Sequence, residues 1–445
     1  MAEKSLGWLG IARLGLIQAS LGSIVVLTTT TINRVMVVEL SMMAIIPGLL
    51  VAWHYALQVL RPRWGHGSDN GGKRTPWIIG GIATLASGGF LAAVSVWLAA
   101  SYFWAGIVLA TIAFTLIGIG VGAAGTSLLV LLAETVKPER RGAAATVVWT
   151  MMIAGFILTT VLAGKFLDPF SMQRLVVIAA VVTTTAFALS TIAVWGLEKT
   201  YAKRATPKTD SEKVKFSAAL RDVWQDLEAR RFAIFVFISM VAYSAQELII
   251  DPFAGFLFNF TPGQSTSLSG TQHSGVLLGM VLVGVASSFA NKAKALALRN
   301  WTVFGCLCSA LALAGLVGAA TVGASWPLKQ NIFALGFANG MFAVAAIGSM
   351  FSAAAGQSSR EGIRMGLFGA SQAIAFAAGG FLGTATADIL KFFTHSNAIS
   401  YGSVFGLEAA LFIVSALLAI RIGAAQPLSA KSLKLAAQPD LGLSS

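Results

Sequence analysis

Residues 76–133 read PWIIGGIATLASGGFLAAVSVWLAASYFWAGIVLATIAFTLIGIGVGAAGTSLLVLLA and contain no Lys, Arg, Asp or Glu. A helix needs about 20 apolar residues to cross about 30 Å of hydrocarbon, so this stretch is long enough for two membrane spans. The whole chain of 445 residues is 56% hydrophobic and 11% charged, whereas soluble domains carry about 25% charged residues. We therefore predict an all-α integral membrane protein, because helices satisfy their backbone polar groups inside lipid.

Similar apolar runs occur along the rest of the chain, and they predict twelve transmembrane helices. The runs lie at roughly 14–37, 41–60, 76–99, 103–133, 142–164, 173–197, 232–258, 274–290, 302–323, 328–353, 364–390 and 402–422. A hydrophilic segment divides them six and six. We predict a six-helix bundle over 1–197, a cytoplasmic linker over 198–231, a second six-helix bundle over 232–422 and a cytoplasmic tail over 423–445.

Positive charge is concentrated on one side of these predicted spans. All but five of the 31 Lys and Arg residues lie on the side that carries the two termini. The five on the other side are Arg34, Lys165, Arg174, Lys329 and Lys391. Because Lys and Arg accumulate in cytoplasmic loops, both termini are predicted to be cytoplasmic. The net charge of +13 is accounted for in this way, and no nucleic-acid partner is expected.

The loop after the second predicted span reads GHGSDNGGKR, residues 65–74. It fits the pattern Gly-x-x-x-Asp-x-x-Gly-basic-basic and resembles the loop between helices two and three of the major facilitator superfamily. A departure is Asn70, where that superfamily usually has Arg. The phrase ETVKPERRG at 134–142 resembles a second phrase of the same superfamily. The resemblance implies two six-helix bundles and a conformational latch loop formed by Gly65, Asp69, Gly72, Lys73 and Arg74.

Three further phrases narrow the resemblance. They are NRVMVVEL at 33–40, HYALQVLRPRWG at 54–65 with its continuation to residue 81, and QE at 246–247 followed by DPFAG at 251–255. Together they resemble the PucC/LhaA group, the bacteriochlorophyll delivery family. The third phrase departs in detail, because that family commonly has Asp, Glu and Tyr where this chain has Glu247, Asp251 and Phe253.

The resemblance implies a role in photosynthetic bacteria, in assembling light-harvesting complexes and handling bacteriochlorophyll. It implies bacteriochlorophyll or a precursor as the bound pigment. The implied partners are light-harvesting antenna subunits and bacteriochlorophyll-synthesis enzymes, besides the lipid bilayer. The implied location is the cell inner membrane or the intracytoplasmic photosynthetic membrane.

Two carboxylates in the seventh predicted span are candidate functional groups, since ionisable residues inside a membrane are costly. Glu247 and Asp251 are four residues apart and therefore share one helical face. They are interpreted as a proton-coupling pair, as contacts to pigment or partner together with Gln246, or as a structural pair that is bonded to another helix or lies near the outer surface. Pro252 lacks a backbone N–H and is expected to weaken the helix nearby and to free carbonyls.

His54 in the second span offers an imidazole that could bind the magnesium of bacteriochlorophyll axially. The alternative is a histidine that is hydrogen-bonded between helices. Tyr55 is its neighbour, and Gln58 shares its face at i+4. Asn339 is a further candidate for ligand lining or for an interhelical hydrogen bond. The chain shows no metal site of its own.

Arg34 and Glu39 flank the predicted outer turn after the first span. They are five residues apart, which is not the spacing of an α-helical ion pair. We interpret them as an outer gate or interface anchor.

Enzyme motifs are weak. Gly120-x-Gly122-x-x-Gly125 matches the spacing of a dinucleotide fingerprint, but it lies inside a membrane span with no preceding strand. Close helix packing explains these glycines and Gly118 better. The chain is predicted not to be an enzyme.

Three functions stay open at this point. The first is a membrane assembly factor that binds or delivers bacteriochlorophyll to antenna apoproteins. The second is a proton-coupled small-solute transporter with alternating access. The third is a scaffold that docks pigment-synthesis enzymes and binds no pigment. The three phrases favour the first, although a transporter fold does not by itself establish transport.

Overall fold

The structure, a computed structural model, describes residues 5–61, 73–137, 140–198, 225, 227–288, 294–354 and 361–421. Twelve main helices occur in this part of the chain. They are α1 Trp8–Leu27, α2 Ile45–Leu57, α3 Thr75–Ala99, α4 Phe103–Thr135, α5 Arg141–Leu167, α6 Met172–Val194, α7 Leu227–Phe258, α8 Pro262–Ser288, α9 Lys294–Val322, α10 Leu328–Ala354, α11 Glu361–Thr394 and α12 Asn397–Arg421.

Eleven of these helices are long and apolar enough to cross a membrane. The chain is therefore a multi-pass membrane protein, as its composition predicts. The exception is α2, whose 13 residues correspond to about 20 Å of helix. It begins at Ile45 rather than at the predicted residue 41, because the chain turns first through Ser41, which has a φ of 53°. A short 3-10 turn, Gln58–Leu60, follows it.

The first helix continues beyond α1 in an unusual form. Two π-helical turns, Thr28–Ile32 and Val35–Glu39, extend it so that Trp8–Glu39 forms one span. In a π turn the backbone hydrogen bond joins residue i to residue i+5. The bond from the N–H of Leu40 to the carbonyl of Val35, 3.0 Å long, has this spacing.

The predicted start of the eighth span at residue 274 is wrong, because α8 begins twelve residues earlier at Pro262. The added segment is rich in Ser, Thr, Gly and Gln, a composition typical of loops. In the structure its hydroxyl groups bond to carbonyls of the preceding turn, as Thr266 does to Pro262 at 2.8 Å. Other helices also start earlier than predicted: α1 at Trp8, α9 at Lys294 and α12 at Asn397.

The helices pack as two similar halves. In the first half α1 packs on α4, α5 and α6, α3 packs on α4 and α6, and α2 packs on α4. Every one of these pairs recurs in the second half among the helices six places later, such as α9 on α10 and α8 on α10. Each half has its own core of buried apolar side chains. The predicted linker 198–231 lies mostly outside the described residues.

The halves meet where α2 packs on α11 and α5 packs on α8, and where the π turns of the first span touch α7. We call the side that carries the turn from α1 to α2 the outer side. Within the first half, α3 and α4 pack closely at glycines, since a Cβ on Gly120 would lie 2.5 Å from the backbone nitrogen of Leu85. Gly125 has open space around it, so the packing explanation holds for Gly120 and not for Gly125.

Candidate functional site

Four side chains from three helices meet between the two halves, and we call them the central site. Tyr55 comes from α2, Tyr243 and Glu247 come from α7, and Phe376 comes from α11. The ring of Phe376 lies 5.4 Å from that of Tyr55 and 5.9 Å from that of Tyr243, centre to centre. The carboxyl group of Glu247 is within electrostatic range of both phenol groups. The site thus combines aromatic surface, two phenols and one carboxyl group.

The sequence analysis pointed to Tyr55 and Glu247, and it missed Tyr243 and Phe376. Tyr243 is one helical turn before Glu247, so a search for polar groups on the same face would have found it. Phe376 looks like any other aromatic residue of a membrane helix. Only the packing of α11 on α2 brings its ring to Tyr55.

Gln58 lies one turn from Tyr55, directly after the last residue of α2. The predicted orientation places this end of α2 on the cytoplasmic side. Its side-chain oxygen accepts a hydrogen bond from Arg61. Gln246 is fully buried beside Glu247, and its amide has no hydrogen-bond partner among the described residues. These two residues therefore border the central site but do not contribute a described contact to it.

Asn339 is buried away from the interface between the halves. Its side-chain oxygen accepts a hydrogen bond of 2.9 Å from the hydroxyl of Ser309 on α9. This contact lies within the second half and joins α10 to α9. Of the two roles considered for Asn339, ligand lining and an interhelical hydrogen bond, this contact is the second.

His54 faces α4 rather than the partner half. Its ring lies 4.1 Å from that of Tyr55 and 6.4 Å from that of Phe114, and the residue is 1% exposed. The carbonyl of Val51 is within electrostatic range of the ring. Neither ring nitrogen, however, makes a hydrogen bond of ordinary geometry to a described residue. A macrocycle could not approach either nitrogen in this arrangement, so these surroundings do not fit an axial ligand to pigment magnesium.

Asp251 and Glu247 both lie on α7 but interact with different neighbours. The hydroxyl of Ser269 on α8 donates to both carboxylate oxygens of Asp251, at 2.9 and 3.0 Å. Asp251 is buried and within electrostatic range of Arg34. The two carboxylates therefore do not act as one pair, because one faces the central site and the other faces the outer contacts.

Arg34 is the centre of the outer contacts. Its guanidinium donates to the backbone carbonyl of Phe260 at 2.6 Å and to the hydroxyl of Ser265 at 3.2 Å, both in the second half. It also forms an ion pair with Glu39. A spacing of five is not that of an α-helical ion pair, and the pair forms here because the π turn Val35–Glu39 places residues i and i+5 together.

Asn33, the neighbour of Arg34, makes a second contact to the other half. Its side-chain nitrogen donates to the carbonyl of Leu248 on α7 at 2.8 Å. In an α-helix that carbonyl would accept from the N–H of residue 252, but Pro252 has none. Pro252 therefore leaves this carbonyl without a backbone partner in its own helix, and the carbonyl accepts a hydrogen bond from the other half of the molecule instead.

The predicted latch loop is described only at its end, since Gly65, Asp69 and Gly72 lie outside the described residues. Lys73 is exposed. Arg74 is buried and forms an ion pair of 2.8 Å with Glu134 at the end of α4. The carboxylate of Glu198, which the sequence did not single out, accepts from the backbone N–H groups of Arg74 and Thr75 at the start of α3.

Residues 31–426 match the model of the family described as PUCC protein. The chain belongs to this family. A protein of Rhodobacter capsulatus named "Bacteriochlorophyll synthase 44.5 kDa chain" is 49% identical over 424 residues, which are 95% of this chain and 97% of that protein. "Protein PucC" of Cereibacter sphaeroides is 24% identical over 427 residues, covering 91% and 90% of the two chains. The resemblance seen in the three sequence phrases is confirmed.

Solved structures agree on the fold. A crystal structure of the peptide transporter POT in complex with sulfate superposes with a TM-score of 0.69 at 14% identity, covering 95% of this chain and 96% of that one. A variant of POT in complex with alafosfalin gives the same TM-score at 13% identity, covering 95% and 97%. The fold is that of the major facilitator superfamily, as predicted. At such identities the likeness concerns the fold alone.

Proposed function

We propose that this PUCC family member is a membrane assembly factor that binds or delivers bacteriochlorophyll, or a precursor, to the apoproteins of light-harvesting complexes. The observation that carries the proposal is the match to the family over residues 31–426. It is supported by a relative at 49% identity whose name refers to bacteriochlorophyll. Antenna subunits and pigment-synthesis enzymes are the proposed partners.

The proposal treats the chain as a carrier or chaperone and not as an enzyme, although the name of that relative contains the word synthase. The central site supports this role. Its groups can hold a flat ligand, because Phe376 and the two tyrosines offer ring surfaces and the phenols and Glu247 offer polar edges. His54 has no part in the proposed binding, since its ring is enclosed between α2 and α4.

The test is an absorption spectrum of the protein, expressed in a pigment-making host and purified in mild detergent. We expect about one bacteriochlorophyll-type pigment per folded wild-type chain. Phe376→Ala removes the ring that joins the two halves of the site, so its pigment content should fall several-fold. Ile374→Ala is the matched control, because Ile374 lies two residues away on α11 and is exposed on the outside of the bundle.

A colourless wild-type protein that is pure and monodisperse would overturn pigment binding. Equal pigment in both variants would move the pigment away from the central site. A loss in both variants together with aggregation would report unfolding, and Tyr243→Phe then provides a milder change at the same site.

A second candidate function is favoured by Glu247. A half-buried carboxyl group between the halves of a transporter-type fold suits proton-coupled transport of a small solute. Under this alternative, Glu247→Gln abolishes substrate-dependent proton uptake into proteoliposomes. Pigment binding by wild type and a lack of proton movement with any tested solute would decide against it.

A further inference from the structure

Asp168, directly after α5, holds the first turn of a helix in the other half. Its carboxylate accepts a hydrogen bond of 2.6 Å from the hydroxyl of Thr261 and one of 3.2 Å from the backbone N–H of Gly263. Gly263 is the second residue of α8. The first N–H groups of a helix have no partner within the helix, and the positive end of its dipole lies there. A carboxylate from the opposite half accepts a hydrogen bond from one of these N–H groups, and its negative charge lies at the positive end of the dipole.

Asp388, near the outer end of α11, makes the corresponding contact in the opposite direction. Its carboxylate accepts a hydrogen bond of 2.7 Å from the backbone N–H of Ile45, the first residue of α2. Here an aspartate of the second half holds the start of a helix of the first half. The contact again lies on the outer side.

The two contacts are related by the internal repeat. Helices α5 and α11 occupy corresponding places in the two halves, as do α8 and α2. Asp168 and Asp388 lie at equal separations from Arg141 and Glu361, the first residues of α5 and α11. Each crossing therefore places an aspartate of one half on the first turn of a helix of the other half.

A close approach of two helices lies one turn before each aspartate. A Cβ on Gly164 would come within 2.7 Å of the carbonyl of Gly263, and a Cβ on Gly48 would come within 3.1 Å of the Cβ of Thr384. Gly164 and Thr384 also correspond in the repeat, each four residues before its aspartate. Small residues thus let the helices touch, and the carboxylates then reach the helix starts.

From these paired contacts we propose that Asp168 and Asp388 are two repeat-related latches that hold the outer side closed, and that the protein also adopts a state in which the outer side is open. Both contacts join one half to the other, so opening breaks both. The π turns of the first span also touch α7, and Arg34 donates to the carbonyl of Phe260, so the first span adds further contacts between the halves on the outer side. The proposal stands whether or not the central site binds pigment.

The experiment measures the distance between the two halves on the outer side by pulsed electron paramagnetic resonance. Spin labels are placed at Ser101→Cys, in the turn between α3 and α4, and at Ala324→Cys, in the turn between α9 and α10. Both positions are exposed. The background carries Cys306→Ala and Cys308→Ala, so that the two native thiols are not labelled. The labelled protein is studied in lipid nanodiscs.

We expect one main short distance in the wild type. The double variant Asp168→Ala/Asp388→Ala should increase the population at longer distance by at least about tenfold, the factor that corresponds to the loss of a charge-assisted hydrogen bond. Each single variant should give a smaller increase.

The matched control is Ser171→Ala. Ser171 caps the start of α6 on the outer side, where its hydroxyl accepts from the N–H of Arg174 at 3.1 Å, but that contact stays within one half. Its distance distribution should equal that of the wild type. Asp168→Asn/Asp388→Asn keeps the side-chain shape and replaces the alanine pair if that pair does not give a monodisperse protein. A double variant with the same distances as Ser171→Ala would overturn the proposal.

Discussion

Arg34 shows how a charged residue is accommodated inside the membrane-spanning part of this protein. It is 2% exposed, yet its guanidinium reaches the carboxylate of Glu39, the carbonyl of Phe260 and the hydroxyl of Ser265. A planar guanidinium can serve three acceptors in different directions, which the single nitrogen of a lysine does less well. The residue therefore joins the end of the first span to the turn between α7 and α8.

His54 is the residue at which the sequence and the structure suggest different roles. A buried polar group without a hydrogen bond costs about 1–3 kcal/mol. We therefore predict that His54→Leu leaves the unfolding free energy unchanged or raises it by about 1 kcal/mol, and leaves pigment content unchanged. Unfolding of the purified protein in detergent, together with its absorption spectrum, checks both points.

Phe114→Leu is the control for that experiment, because the ring of Phe114 faces His54 and its loss creates a cavity. That variant should be destabilised by about 1 kcal/mol or more. Loss of pigment from a folded His54→Leu protein would contradict the enclosed position of the ring and restore His54 as a ligand.

At the scale of single elements, the seventh helix is shaped by one proline. Pro252 lies inside α7, and the carbonyl of Leu248 accepts from Asn33 instead of from a backbone N–H. Helix interiors usually exclude proline because a hydrogen bond is lost. Here the lost bond is replaced by one that ties the two halves together.

Asn33 and Pro252 together determine which group bonds to the carbonyl of Leu248. We therefore predict that their effects on the free energy of unfolding are coupled. Asn33→Ala should cost about 1–2 kcal/mol of unfolding free energy with Pro252 present, because the carbonyl of Leu248 is left without a partner. With Pro252→Ala the new N–H can serve that carbonyl, so the cost of Asn33→Ala should fall. A double-mutant cycle of unfolding free energies measures the difference. Additive effects of the two changes would show that Asn33 and Pro252 do not share the carbonyl.

At the scale of the whole molecule, the repeat accounts for the arrangement of both halves and of their contacts. The same helix pairs pack in each half, and the crossings of α2 with α11 and of α5 with α8 correspond to each other. Neighbouring halves that are alike meet through equivalent surfaces. Such an arrangement permits rocking of one half against the other.

The charge distribution predicts how this molecule lies in the membrane. By the predicted spans, all but about five of its 31 Lys and Arg residues fall on the side of the termini, so both termini should be cytoplasmic. A green fluorescent protein fused after residue 445 should fluoresce. Alkaline phosphatase fused after Ser101, in the turn between α3 and α4, should be active. An active phosphatase at the C-terminus with an inactive one after Ser101 would reverse the orientation.

The sequence by itself determined the membrane-spanning class, the number of main helices and the family. These follow from local properties: apolar runs long enough to cross lipid, the separation into two sets of six, and phrases such as HYALQVLRPRWG at 54–65. It also indicated Tyr55, Glu247 and the carbonyl freed by Pro252. Each of these depends on residues that are close together in the chain.

Only the tertiary structure decided the rest. The polar start of α8 is helical because its face packs on α5, Arg34 pairs with Glu39 because the backbone there is π-helical, and His54 is enclosed because α2 packs on α4. Phe376 reaches Tyr55, and Asp388 reaches Ile45, across several hundred residues of chain. The physical reason is common to all of them: inside a bundle, a residue's neighbours are set by which helices touch and at what height, and local sequence does not encode that.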